Sequence, residues 1–321
     1  MKEKEMVAVV IPTYRRFNEL KRCLACIDHQ TRKADFVVVV DNDANAATQE
    51  LVEKSGEHFR YLPMPENIGC GAALKAGEKY IFEKWKDQVS HIWIMDDDAA
   101  PEPKTLEQLL EAANQTSAAI IAPICTAPDG TIFGLPDTVK LAPRKIRKSF
   151  KVPQDIRNYY KERLIPIRWC VGTSILVKAW AIKESGLHRD DFWMQGEDME
   201  FSMRICRTYG GVWDTWTTMP HLFPPGLNGE TVSWAYFSKF CSVLQNMAYI
   251  VFHETRSLFN WYCLAVIYRR FFMIFGWRFL TFKYALITFW NGVFLAEPAG
   301  QPSGKKLRML VNIDAGKRAI K

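Results

Sequence analysis

The stretch His91-Ile92-Trp93-Ile94-Met95-Asp96-Asp97-Asp98 decides the architecture of this chain. Its apolar run suits a strand buried on both faces, and it passes without a spacer into three adjacent carboxylates. Like charges crowded at one strand end repel, so they persist together only where something positive offsets the repulsion. Mg2+ and Mn2+ favour carboxylate oxygen and bridge readily to a diphosphate. Alternate side chains of extended backbone point the same way, which makes Asp96 and Asp98 the expected metal ligands. Asp97 then faces elsewhere, toward a sugar or a backbone donor. The competing reading is a solvated acidic turn capping the helix after Pro101, and the buried strand ahead of it weighs against that.

Working outward, the same pattern recurs. Val7–Ile11 is an apolar strand ending at Pro12, and Asn18 is placed to cap a helix running to Asp28. Phe36–Val40 is a second strand, followed by the polar turn Asp41-Asn42-Asp43, and Arg60–Leu62 is a short third. Helices are expected over Gly71–Lys84 and Thr105–Ala113, with strands over Ile92–Met95 and Ala118–Ile121. Continuous apolar strands alternating with helices predict an α/β fold, a mostly parallel sheet with helices on both faces. Ligands bind such sheets at the carboxyl ends of the strands. Thr13, Asp41, Asn67 and the aspartate triplet all lie there.

The region Thr126–Pro166 is weakly patterned, and its segment Lys140–Lys151 holds six Lys/Arg and no acid. A strand-like run covers Arg168–Val177, a helix Glu197–Tyr209 is stopped by Gly210-Gly211, and Val212–Thr218 is strand-like. Glu197 and Asp198 open that helix. Acids there commonly cap, yet a carboxylate at a helix N-terminus stays ionised, as a general base at neutral pH must. Trp193 offers a flat apolar face nearby, although an isolated tryptophan is more often core. His221 is by default a core histidine; it matters because an Asp-Asp metal site wants a third protein ligand, and neutral imidazole serves. The loop Glu66-Asn67-Ile68-Gly69-Cys70-Gly71 leads into a helix and is suited to bring backbone N–H groups to a phosphate, a weak signal alone.

The chain has 321 residues, 48% hydrophobic and 24% charged, which suits one large domain or one with an appendage and excludes a disordered chain. The charged start Met1–Glu5 leads straight into a strand, with no signal peptide expected. Cys23 and Cys26 form the CxxC pair of the chain and read as reduced core thiols of a cytoplasmic protein. Of the net charge of +7, Thr255–Lys321 carries 11 Lys/Arg against Glu297 and Asp314, or +9, leaving −2 for the remainder. A basic tail beside a near-neutral body points to an anionic partner. Trp234–Phe252 reads as an amphipathic helix with Trp234, Phe237, Cys241, Leu244, Ala248 and Val251 on one stripe. Leu258–Leu295 mixes aromatic and aliphatic residues with Arg269, Arg270, Arg278 and Lys283. No window there is apolar enough to span a membrane, and the mixture fits a membrane interface, with Trp261, Phe271, Trp277, Phe282 and Trp290 entering it, better than nucleic acid. Packing on the catalytic domain or a homo-oligomer interface are the alternatives for these helices.

Together, VVIPTYRR (Val9–Arg16), VVVDND (Val38–Asp43), ENIGCGAALKAG (Glu66–Gly77), WIMDDD (Trp93–Asp98), GTSILVK (Gly172–Lys178), WMQGEDMEFSMR (Trp193–Arg204) and His221 resemble the family 2 inverting glycosyltransferases, in family order over Val7–Pro224. Within that family the pieces look most like bacterial galactofuranosyl- and rhamnosyl-transferases that build surface glycans on a lipid carrier. The resemblance implies a GT-A fold over residues 1–230, with a nucleotide-binding half to about 125 and an acceptor half after it, then a helical basic region over 231–321. It implies that Thr13, Arg15 and Asp41 contact the nucleoside, and that Asn67 and Gly69 lie beside ribose and diphosphate. Asp96 and Asp97 reach the nucleotide sugar, and Trp193 and Glu197 the acceptor. Asp96, Asp98 and His221 hold Mn2+ or Mg2+, and Asp198 deprotonates the acceptor hydroxyl. The implied donor is UDP-galactofuranose or another UDP- or dTDP-sugar such as dTDP-rhamnose. The implied acceptor is a glycan or polyprenyl-linked sugar at the inner face of the plasma membrane. The chain departs from the family where relatives carry a Tyr-Tyr and Arg-Asn pattern: Cys241–Asn246 offers Asn246, with Tyr249 after it. The rival enzyme is a sugar-phosphate nucleotidyltransferase, but Pro12-Thr13-Tyr14-Arg15 lacks its glycine-rich loop. A non-catalytic GT-A scaffold is the other alternative, against which the intact Asp96, Asp98, Asp198 and His221 stand.

Overall fold

The computed structural model describes residues 5–138, 144–222, 234–255, 258–277 and 279–294. Two compact units divide the chain: Met1–Ile68, Ala73–His188 and Phe201–Pro224 in the first, Gly69–Ala72, Arg189–Glu200 and Pro225–Lys321 in the second.

The strands are β1 (Met6–Thr13), β2 (Phe36–Asp41), β3 (Phe59–Pro63), β4 (Val89–Met95), β5 (Ile120–Thr126), β6 (Asp137–Thr138), β7 (Leu164–Trp169), β8 (Ser174–Lys178) and β9 (Gly211–Pro220). The helices up to residue 209 are α1 (Phe17–Asp28), α2 (Ala46–Lys54), α3 (Cys70–Trp85), α4 (Thr105–Asn114), α5 (Arg144–Arg147), α6 (Pro153–Tyr160), α7 (Ala179–Ser185) and α8 (Glu197–Tyr209). One mixed sheet runs β3-β2-β1-β4-β8-β5-β9-β7-β6. Its first four strands are parallel, in a register that sets Thr13 beside Asp41. Val7–Ile11 and Val37–Val40 are fully buried, as strands covered on both faces must be. Beyond β4 the sheet becomes mixed, because β8 runs antiparallel between β4 and β5 while β5 and β9 are parallel.

Local sequence explains several departures from expectation. Asn18 lies inside α1 rather than at its cap; Arg16 takes that position and makes no side-chain cap bond, since a guanidinium only donates and the orphan groups there are N–H donors. Helix α2 was not anticipated, though its cap is orthodox: Asn45 accepts from the N–H groups of Ala47 and Thr48 at 2.9 and 3.3 Å. The run Arg168–Val177 splits at Cys170–Thr173 into the end of β7 and most of β8, which pair with different strands. The basic segment Lys140–Lys151 lies partly outside the described residues. Cys23 is buried and Cys26 half-buried, both as free thiols.

The second unit contains α9 (Trp234–Tyr249), which widens into a π-helical turn at Ile250–Thr255, then α10 (Leu258–Phe275) and α11 (Phe279–Phe294). The expected stripe of α9 is buried at Phe237, Cys241, Leu244, Ala248 and Val251. Phe237 packs its ring on Phe271, Phe275 and Tyr284, with centroids 5.4, 4.9 and 5.3 Å away. Phe271 is therefore a core residue, not an interfacial one; α10 is apolar on more than one face, so its sequence did not say which aromatic turns inward. Trp261, Trp277, Phe282 and Trp290 are exposed. A Cβ at Gly292 would lie 2.4 Å from the Gln245 carbonyl oxygen, so α11 meets α9 more closely than any side chain allows. Among the described residues, no helix is long and apolar enough to cross a membrane. The basic tail beyond Phe294 lies outside them.

Candidate active site

The carboxyl ends of β1, β2, β4 and β9 bring the site of the first unit together. Asp96 follows β4 directly and stays partly exposed, whereas Asp97 and Asp98 are 4% and 2% exposed. Asp97 does face elsewhere, but to side chains rather than to a backbone donor. Its Oδ2 accepts from the Thr13 hydroxyl at 2.7 Å, and its Oδ1 lies 3.0 Å from Arg16 Nη1. The other guanidinium nitrogen of Arg16 pairs with Asp98. Burial pushes Asp97 up to about 7, against the pull of Arg16 and Thr13. Burial also works against the Asp98 carboxylate, but His221 and Arg16 outweigh it and hold that group below its usual range.

His221 follows β9 and is strapped beside the triplet by backbone. Its N–H donates to Thr126 O, Leu222 N–H donates to Asp98 O, and Ala100 N–H donates to Pro220 O, each at 2.8 Å. The imidazole lies parallel to the Phe133 ring at 5.2 Å. Its Nε2 is 2.8 Å from Asp98 Oδ1 and 3.3 Å from Asp96 Oδ2. Burial lowers the affinity of this ring for a proton, yet the two carboxylates more than reverse that and raise it to about 9. The pair of acids thus calls for a positive charge on the side where the imidazole sits. One ligand atom from each of Asp96, Asp98 and His221 lies within 4.8 Å of the others. Two carboxylate oxygens and an imidazole nitrogen form a donor set that suits a divalent cation.

The other expected nucleotide contacts cluster around the loops after β1, β2 and β3. Asp41 is 1% exposed, and its carboxylate accepts from the N–H groups of Asp43 and Asn45 and from the Tyr61 hydroxyl, each at 2.9 Å. It therefore shapes the loop after β2. Arg15, in left-handed conformation at φ 57°, pairs with Asp43 at 3.0 Å. That turn sends Arg15 to the β2 loop and leaves Arg16 to the aspartates, a role the sequence reading missed. The adjacent Arg15-Arg16 pair was the available signal. Asn67 is half-buried in the loop between β3 and α3, where Ile68 N–H donates to Asn42 at 3.3 Å.

The second unit holds Gly69, Trp193, Glu197 and Asp198. Gly69 is at φ 88°, and a Cβ there would lie 2.3 Å from Trp193 Cδ1 and 2.6 Å from the Trp193 carbonyl oxygen. A Cβ at Gly71 would lie 2.4 Å from Arg189 O and 2.5 Å from Phe192 O. Both glycines thus let the backbone approach the segment Arg189–Trp193, and Cys70 N–H donates to Trp193 O at 2.7 Å. Trp193, Glu197 and Asp198 are half-buried, and the two acids occupy the first turn of α8. The segment is fastened to α9: buried Arg189 holds Asp191 through two bonds of 2.9 and 2.6 Å and donates to the Tyr249 hydroxyl at 2.8 Å. Asn246 donates to the carbonyls of Met194 and Gln195. Asn246 and Tyr249, the residues that the departing stretch still offers for its relatives' pattern, here grip backbone and a buried arginine.

Comparison with known proteins identifies the family and the fold. The model of Glycosyl transferase family 2 matches residues 8–180, more than half of the chain. Galactofuranosyltransferase GlfT1 of Mycolicibacterium smegmatis is 27% identical over 228 residues, covering 70% of this chain and 73% of that relative. The N-acetylglucosaminyl-diphospho-decaprenol L-rhamnosyltransferase of Mycobacterium tuberculosis is 26% identical over 225 residues, 63% of this chain and 70% of that protein. Among solved structures, TarS 1-349 of S. aureus superposes with a TM-score of 0.57 at 14% identity, covering 90% of this chain and 81% of that one. GalNAc-T7 with UDP, GalNAc and Mn2+ gives a TM-score of 0.53 at 14% identity, covering 77% of this chain and 50% of that one. At such identities the structures speak for the shared GT-A fold alone.

Proposed function

Because the chain belongs to glycosyl transferase family 2, we propose that it is a metal-dependent, inverting transferase moving a sugar from a nucleotide diphosphate to a glycan or lipid-linked acceptor. The observation that carries this reading is the convergence of Asp96, Asp98 and His221 at the carboxyl ends of β4 and β9. Mn2+ or Mg2+ held there would neutralise the charge of the departing diphosphate. Arg16 keeps the aspartates paired, and Thr13 orients Asp97. Arg15 and the Asp41–Asn45 loop border the nucleoside, Asn67 and Gly69 the ribose and diphosphate, and Asp97 the sugar. Trp193 presents a face to a sugar ring beside Glu197. Asp198 accepts the proton of the acceptor hydroxyl as that oxygen bonds to the anomeric carbon; the bond to the diphosphate oxygen breaks, the diphosphate leaves with the electron pair, and the configuration inverts.

The galactofuranosyl- and rhamnosyltransferase relatives support UDP-galactofuranose, or another UDP- or dTDP-sugar, as donor. They also support a polyprenyl-linked acceptor in surface polysaccharide synthesis. Exposed Trp277, Phe282 and Trp290, with Arg269, Arg270 and Lys283, support docking on an anionic inner membrane face. A screen of UDP- and dTDP-sugars for metal-dependent transfer or hydrolysis tests the reaction. Asp98→Ala and EDTA should each abolish it, EDTA reversibly with Mn2+; full activity in EDTA would rule out the metal.

A further inference from the structure

We infer that Asn246 is a positioning residue for Asp198, fixing the turn from which the proton acceptor is presented; this rests on the reading of Asp198 as the base. Every observation lies within the second unit. The chain enters α8 through two consecutive left-handed residues, Gln195 at φ 60° and Gly196 at φ 94°. A non-glycine residue holds such a conformation when its surroundings impose it. Asn246 imposes it here: its side-chain Nδ2 donates to Gln195 O at 2.7 Å and to Met194 O at 3.2 Å. Successive carbonyls that converge on one point repel each other, and a single NH2 group carries the two donors that reconcile them. The Asn246 side chain is fully buried, so water does not compete for those donors.

The turn is coupled rigidly to α8. Gly196 O accepts the first-turn bond of α8 from Glu200 N–H at 2.9 Å. A Cβ at Gly196 would lie 2.9 Å from Met247 Cε and 3.4 Å from Asn246 Cβ, so the turn also lies flat on α9. The other arm of the same segment is held at Tyr249 by Arg189, one helical turn along α9 from Asn246. The first turn of α8, which contains Asp198, therefore takes its place from α9.

The test is Asn246→Asp, nearly isosteric, which removes both donors and sets a carboxylate oxygen against two carbonyls. With folding verified by circular dichroism and the unfolding midpoint, turnover should fall about 10- to 100-fold, as a displacement of an ångström or less costs. The Kd of UDP or dTDP with Mn2+ should stay unchanged. In the background of Asp198→Asn the same substitution should cost less than about threefold more, because residues that act through one another are not additive. Asn246→Ala, which removes the donors without adding charge, serves if the carboxylate prevents folding. Wild-type turnover in a folded variant overturns the inference, as does an undiminished loss in the Asp198→Asn background, or nucleotide affinity falling in step with turnover. Near-normal turnover of Asp198→Asn alone would instead overturn the base assignment, a separate result.

Discussion

Replacing Gly69 by alanine probes the close approach between the glycine loop and Trp193. Two costs are built into that position. At φ 88° an L-residue is strained, at about 1–2 kcal/mol. The added Cβ would also fall 2.6 Å from the Trp193 carbonyl oxygen and 2.3 Å from its ring, and real contacts essentially never fall under 3.0 Å. The backbone must therefore open by about 0.4 Å and the ring by about 0.7 Å, although that carbonyl already accepts from Cys70 N–H at 2.7 Å. Overpacking of this kind costs about 1–3 kcal/mol, so the sum is about 2–5 kcal/mol. Gly130→Ala is the control, since Gly130 has φ 80° with nothing within 4 Å of the added atom and bears the conformational cost alone. Urea unfolding of both variants reads the difference. Turnover should also fall about tenfold in Gly69→Ala, because Trp193 precedes Asp198 by five residues and sub-ångström displacements near a reacting group cost rate. If Gly69→Ala matches Gly130→Ala in stability and turnover, the close approach does not exist.

Three further outcomes are expected. Buried His91 is pushed down from 6.5 to about 4 by burial, so the unfolded chain binds the extra proton; stability should be complete above pH 6.5 and fall by about 3 kcal/mol as pH drops to 4. His91→Gln should flatten that slope in urea titrations, and an unchanged slope would assign it to other groups. On the proposed reading, Mn2+ bound by His221 would displace the proton that Asp96 and Asp98 favour there, so calorimetric Mn2+ affinity should rise up to about pH 9 by about tenfold per unit, and a pH-independent affinity would remove His221 from the ligand set. Exposed Arg269, Arg270 and Lys283 each add about 1 kcal/mol near an anionic leaflet, so the full chain should sediment with phosphatidylglycerol vesicles at low salt and the triple charge reversal should not. Charge reversal is preferable to truncation after Glu254, which would strip α10 and α11 from the buried face of α9; equal recovery in the supernatant with neutral and anionic vesicles would refute docking.

The parallel half of the sheet was legible because its strands are unbroken Val/Ile runs, and the acidic cluster at its carboxyl end because Asp96–Asp98 abut one of them. His221 was readable as a candidate third ligand from the chemistry of an Asp-Asp site, but its place was not, since it lies 123 positions after Asp98 and the sheet brings them together. Arg16 was missed because two adjacent arginines look alike until the left-handed turn at Arg15 separates them. Asn246 was visible as a residue but not as a clamp, because its partners are backbone carbonyls that carry no side-chain signature. Phe271 was misplaced because an all-round apolar helix has no periodicity from which to read an inner face.

The discontinuity of the second unit bears on how such enzymes can be recombined. Gly69–Ala72 and Arg189–Glu200 belong with the C-terminal helices, although sequence order files them with the sheet. A graft cut near residue 230, to exchange the C-terminal helices between relatives, would pair foreign helices with a native Met194–Gly196 turn and break the match between Asn246 and its two carbonyls. A transplant of the intact unit has to carry three separate segments, so the C-terminal helices and Asp198 should travel together rather than be shuffled apart.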